Sequence, residues 1–140
     1  MTVHPYLNFP GNTEEAFNFY KSVFGGEFTV LQRFKDIPGD NPTPPALANQ
    51  IMHVSLPIAP GYILMGTDAP AEMGFNLTFG NNCHISLSPD SREETERIFN
   101  GLSAGGKVEM PLQDMFWGAY FGSFADKFGV QWMVNHENKK

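Results

Sequence analysis

At 140 residues, with 41% hydrophobic residues and 13 phenylalanines, the chain is one ordinary domain in length and apolar enough to fold around a core. A net charge of −6 with only nine Lys and Arg leaves no surface able to neutralise phosphates, so no nucleic-acid partner is expected. No apolar run approaches the ~20 residues of a membrane span, and MTVHPYLNF lacks the basic and apolar regions of a secretory signal, so a cytoplasmic protein without membrane contact is expected.

VHPYLNF (3–9) alternates as a strand, and Pro10-Gly11 breaks it. Asn12 with Glu15 three residues later resembles a capping box and predicts a helix through about Phe24, with Ala16, Phe19, Tyr20 and Val23 on one face and Gly25-Gly26 ending it. EFTVLQRF (27–34) is rich in strand formers, and the four prolines within 36–49 predict a long surface loop. QIMHVSLPI (50–58) and YILMGTD (62–68) read as a hairpin about Ala59-Pro60-Gly61. After a second loop, 69–80, come a strand CHISLS (83–88), a helix from cap candidates Asp90 and Ser91 to about Leu102, and strands near 107–110, 118–125 and 129–135. Cys83 falls on the apolar parity of its strand and reads as a small buried hydrophobe; being alone, it cannot form an internal disulfide.

The second half repeats the first. Gly25-Gly26 and Gly105-Gly106 are 80 residues apart, as are Phe19 and Phe99, Glu14 and Glu94, and His4 and His84. Each half then reads strand, helix, three strands, giving an α+β fold of two β-α-β-β-β modules, about 1–68 and 81–135, within one domain. Four strands behind one helix leave a sheet face uncovered, so the two modules are expected to form a curved mixed sheet around a central cleft, helices outside.

Strand parity then nominates the residues facing that cleft: His4, Tyr6 and Asn8 in the first strand, His84, Ser86 and Ser88 in its repeat, with Met65 and Met133 in the fourth strands. Trp117 and Tyr120 are aromatic candidates for the same cleft, and Asp114 a candidate proton acceptor near its mouth. His53 reads as a structural or edge-strand residue, and His136, in HENKK, as solvated. No Gly-x-Ser-x-Gly elbow and no phosphate loop after a strand is present, and Gly25-Gly26 follows a helix.

NTEEAFNFYKSVFGGEF, NCHISL and MFWGAYFGSFADKFGVQWMVN, together with the repeat, resemble the vicinal oxygen chelate (glyoxalase/bleomycin resistance) superfamily, and most of all its PhnB-like branch. Some members of that branch carry a demethylubiquinone methyltransferase label; no Gly-rich turn of a nucleotide-binding parallel sheet accompanies it here. The resemblance implies a homodimer that takes a small molecule, and in metal-dependent members a divalent ion such as Zn, Ni, Mn or Fe. The implied metal positions fall on His4 and His84 and on Met65 and Met133. Methionine departs from the His, Glu or Gln usual there, and a thioether is a poor ligand for hard or borderline cations. Two functions are therefore expected in competition: binding and sequestration of a small ligand, or metal-dependent lyase, isomerase or dioxygenase chemistry.

Overall fold

The computed structural model describes residues 1–36 and 44–138. Half of the proline loop expected over 36–49, residues 37–43, thus lies outside the described residues. The chain divides into two compact units, Met1–Thr78 and Phe79–Lys140, each with one α-helix and one four-stranded mixed sheet among the described residues.

The first unit contains β1 (Tyr6–Phe9), α1 (Thr13–Phe24), β2 (Val30–Arg33), β3 (Ile51–Ala59) and β4 (Tyr62–Asp68). Its sheet has the order β1-β4-β3-β2, with β1 parallel to β4 and the other pairs antiparallel. The alternation of β3 and β4 sends Val54, Leu56, Leu64 and Gly66 to the helix side, where α1 contributes Ala16, Phe17 and Tyr20. Each of those α1 residues is fully buried, as is Phe9. Phe17 can lie against β4 because position 66 has no Cβ: one built there would sit 2.6 Å from Phe17 Cε1.

The helix start differs from the expected capping box. Asn12 makes no side-chain cap bond; instead the Thr13 N–H and hydroxyl both donate to Asp68 Oδ1, at 3.0 and 2.7 Å. The other oxygen of Asp68 accepts from the Ile51 N–H at 2.7 Å. One buried carboxylate at the end of β4 thereby caps the helix and ties it to β3, which a sequence-local signature cannot reveal.

The second unit contains β5 (Ile85–Leu87), α2 (Arg92–Ser103), β6 (Lys107–Asp114), β7 (Ala119–Ala125) and β8 (Gln131–Glu137), in the sheet order β5-β8-β7-β6. Here the expected cap holds: Ser91 Oγ accepts from the Glu94 N–H at 3.0 Å. Ile98, Phe99 and Leu102 of α2 pack on Phe124, Trp132 and Val134, with Phe99 lying over Gly122. Buried Asp126 organises the β7–β8 turn. It accepts from the Phe128 and Val130 N–H groups and from the Trp132 indole, at 2.8, 3.1 and 2.8 Å.

The repeat is therefore real in both order and pairing. Its spacing is less uniform than 80 throughout: the helix starts, Thr13 and Arg92, and the helix ends, Phe24 and Ser103, are each 79 residues apart. Tyr20, not Phe19, is thus the counterpart of Phe99. Both opening strands are also shorter than expected, since β1 starts after Pro5 and β5 spans three residues. That overturns the reading of Cys83 as buried: it precedes β5, at the edge of the sheet, and is exposed.

Candidate functional site

The helix covers one face of each sheet; the candidate sites lie on the opposite faces. In the first unit, register places Tyr6, Met65, Ser55 and Val30 in one row across the four strands, and Asn8, Thr67, His53 and Gln32 in the next. Tyr6 leans across β4: its hydroxyl lies 3.0 Å from His53 Nδ1, and the two rings stack with centroids 5.6 Å apart. The other ring nitrogen, Nε2, is 2.9 Å from Ser55 Oγ. Burial pushes the Tyr6 phenol up, partly offset by a hydrogen bond with Thr67. His53, expected to be a structural or edge-strand residue, stands on an interior strand and belongs to a chain of polar groups that parity alone did not join.

His4 behaves differently. Its Nδ1 accepts the Ile63 N–H at 3.2 Å, so the proton of a neutral ring is on Nε2. The side chain lines an open cavity of about 510 Å³ with Phe24, Gly26, Pro57, Pro60 and Ile63, between the end of α1 and the β3–β4 turn.

In the second unit the matching row is Ser86, Met133, Ser123 and Met110. Met133 thus stands beside Ser86 and Ser123 much as Met65 stands beside Tyr6 and Ser55, which supports the fourth-strand equivalence drawn from sequence. His84, just before β5, brings its Nε2 within 3.0 Å of Glu109 Oε1 on β6. Those two strands are opposite edges of the sheet, so the uncovered face curves enough for side chains from both edges to meet across it. Glu109 went unnoticed because it lies in the bulge between Val108 and Met110, where alternation fails. Trp117, more than half exposed, sits in the β6–β7 turn with its ring edge-on to Phe121, whose register partner Asn135 shares the parity of Met133.

Three sequence expectations require correction. Tyr120 shares parity with Gly122 and Phe124, so it faces α2; Arg92 stacks on its ring at 3.8 Å and its hydroxyl donates to Glu96 at 3.0 Å. It therefore does not join Ser86 and Met133. Asp114 is no free proton acceptor, because Arg92 grips both its oxygens, at 2.7 and 3.1 Å, and holds its carboxyl below the usual carboxylate range. His136 is not in a solvated tail: β8 runs to Glu137, and the His136 Nδ1–H donates to the Pro89 carbonyl at 2.8 Å.

The donor set does not suit a divalent metal. The fourth-strand positions hold thioethers, His84 Nε2 is engaged by Glu109, and among the described residues no three His, Cys, Asp or Glu side chains gather as ligands. Nor do the sheets suit a methyltransferase nucleotide cofactor: neither is a parallel, doubly wound sheet.

Comparison with known proteins agrees with this architecture. A family profile described as 3-demethylubiquinone-9 3-methyltransferase matches residues 1–135. Protein YjdN of Escherichia coli K12 is 33% identical, covering 96% of this chain and 95% of its own. The structure of PA1353 from Pseudomonas aeruginosa superimposes with a TM-score of 0.84 at 41% identity, covering 99% of both chains. The PhnB protein of Bacillus cereus, which bears the same methyltransferase description, does so with a TM-score of 0.76 at 26% identity, covering 97% of this chain and 99% of its own. The structure of a glyoxylase/bleomycin resistance protein/dioxygenase domain from Frankia shares the fold alone, with a TM-score of 0.67 at 13% identity, covering 99% of this chain and 98% of its own. The chain belongs to the PhnB-like family that this profile describes.

Proposed function

We propose that the protein binds a small, partly aromatic or amphiphilic molecule against the uncovered sheet faces and sequesters it without metal chemistry. The observation that carries this reading is the pair of equivalent rows, Tyr6-Met65-Ser55 and Ser86-Met133-Ser123. Each centres a polarisable, conformationally adaptable thioether where a metal-dependent relative needs a hard donor, and flanks it with hydroxyls that orient a ligand. Trp117 and Phe121 add aromatic surface beside the second row. We take the protein to be a cytoplasmic homodimer as part of the same reading; sedimentation velocity checks the dimer.

A second reading, a lyase or isomerase that moves a proton, draws support from His84 and Glu109. A carboxylate beside an imidazole fixes the orientation of the ring, which is what a proton-transferring histidine requires.

Elemental analysis after equilibration with Ni²⁺, Zn²⁺, Mn²⁺ and Fe²⁺ tests the metal-free reading. We expect less than stoichiometric metal in every case, and a rise in melting temperature with amphiphilic aromatic ligands that Met65→Glu and Met133→Glu diminish. One metal per chain, lost in His84→Ala, would overturn the sequestration reading.

A further inference from the structure

We propose that Tyr6, His53 and Ser55 form an acid–base relay that takes the proton of a weakly acidic hydroxyl, phenolic or enolic, on a molecule seated over Met65. The proposal deepens the binding reading above and rests on it. Its basis is continuity: Tyr6 Oη to His53 Nδ1 is 3.0 Å, and His53 Nε2 to Ser55 Oγ is 2.9 Å, so both ring nitrogens are occupied by hydroxyls of opposite accessibility. The tyrosine is nearly half exposed while the serine is buried. A histidine serving only to fill space needs one partner on an open sheet face; this one connects a buried hydroxyl to the surface.

Hydroxyls on both sides of the ring accommodate either tautomer. The relay uses the one in which the Tyr6 O–H donates to Nδ1 and the Nε2–H donates to Ser55 Oγ. When a ligand hydroxyl approaches Tyr6, its O–H bond breaks and the proton passes to the Tyr6 oxygen. The proton that Tyr6 held moves to His53 Nδ1. The products are an imidazolium, still donating to Ser55, and a ligand oxyanion held by the Tyr6 O–H, with no net change in charge.

The surroundings favour that ion pair over a fixed alternative. Neither row on this face contains a carboxylate or an ammonium: the remaining members are Asn8, Thr67 and Gln32, with Met65 and Val30. Arg33, the next residue of β2, is turned to the helix side and bound by Glu14 at 2.7 Å, and Asp68 is spent on Thr13 and Ile51. Among the described residues, the anion formed on the ligand would thus be the only negative charge in these two rows. Tyr6 and His53 stack at an interplanar angle of 28°, with Met65 in the row beside them. The second unit lacks such a chain, since Phe121 stands at the position matching His53.

4-Nitrophenol is a suitable reporter, because its phenolate absorbs visibly and its phenol does not. Titrated into the protein at a pH near the dye's own pKa, bound dye should be more ionised than free dye, its apparent pKa lowered by about one unit, as for a group facing one opposite charge. Tyr6→Phe and His53→Gln should bind the dye while abolishing that shift, and Ser55→Ala should reduce it, with far-UV circular dichroism and melting curves confirming that each variant is folded. In wild type, ¹⁵N shifts of His53 should move to imidazolium values as dye is added. Dye that binds without added ionisation, or a shift that survives in Tyr6→Phe, overturns the relay and leaves the binding reading standing. Failure of the dye to bind at all also overturns it, and the binding reading is then judged by its separate melting-temperature screen.

Discussion

Gly66→Ala should destabilise the first unit by steric conflict alone. Gly66 does not occupy the left-handed region, so alanine meets no backbone strain there. The new Cβ, however, would stand 2.6 and 2.9 Å from Phe17 Cε1 and Cζ and 3.2 Å from the Leu7 carbonyl oxygen. Relief needs the ring to move roughly 1 Å, because packed carbons do not approach closer than about 3.5 Å. The ring has nowhere to go. Phe17 is fully buried, with Phe9 edge-on at 6.4 Å and Tyr20 edge-on at 5.5 Å. Overpacking of this kind costs about 2–3 kcal/mol, or a fall in melting temperature of roughly 6–12 °C at this chain length. Thermal and urea unfolding followed by far-UV circular dichroism measure it. The double variant Gly66→Ala/Phe17→Leu should be more stable than the sum of the single effects by at least about 1 kcal/mol, since removing ring atoms removes the conflict. A Gly66→Ala protein that melts within a degree of wild type, or strict additivity in the cycle, would refute the argument.

Asp126→Ala should cost about 3–4 kcal/mol in urea unfolding, because it strips acceptors from a buried indole and two turn N–H groups at once; Asp126→Asn, which keeps one acceptor oxygen, should cost clearly less. Glu14→Gln tests a surface pair. The Arg33 guanidinium bonded to Glu14 lowers its carboxyl pKa, so the pair's stabilisation is complete above the ordinary glutamate value and is lost as pH falls through the depressed folded value. With half of the Glu14 side chain exposed, the difference between variant and wild type should be no more than about 0.5 kcal/mol at pH 7 and should vanish in strong acid. A gap that widens on acidification would contradict the sign.

Much of the frame was legible in the sequence because it depends on local period and on the duplicated order: both helices, the β3–β4 hairpin and the parity of β1 came through. What escaped depends on which strands are neighbours. His53 and Ser55 were visible as alternate residues of one strand, but only the order β1-β4-β3 brings Tyr6 onto His53. Glu109 was hidden by a bulge, and the β6 edge runs on through Pro111 to Asp114, well past the expected end at 110, because an edge strand tolerates a missing N–H. Reading β8 two residues too early had a larger consequence: it left His136 in a tail, when the strand in fact carries it to the Pro89 carbonyl. Cys83 failed for a related reason, since alternation gives a face only where a residue is inside the ladder.

The two modules share a frame yet place their helix aromatics differently, and this has a functional consequence. Phe17 lies behind Gly66 on the fourth strand of its module, whereas Phe99 lies behind Gly122 on the third strand of the other. Side chains adjacent to a strand glycine point to the opposite face. Pressure at Gly66 is therefore delivered to Met65 and Thr67, in the middle of the Tyr6 and His53 rows, while pressure at Gly122 reaches Phe121 and Ser123. If the ionising site lies in the first unit, Gly66→Ala should weaken 4-nitrophenol binding or its ionisation, measured well below the melting transition. Gly122→Ala, facing an equally tight Cβ contact of 2.7 Å with Phe99, should lower stability by a comparable amount and leave the dye signal intact. Equal loss of signal in both variants would show that the dye reads general loosening rather than the rows around Met65.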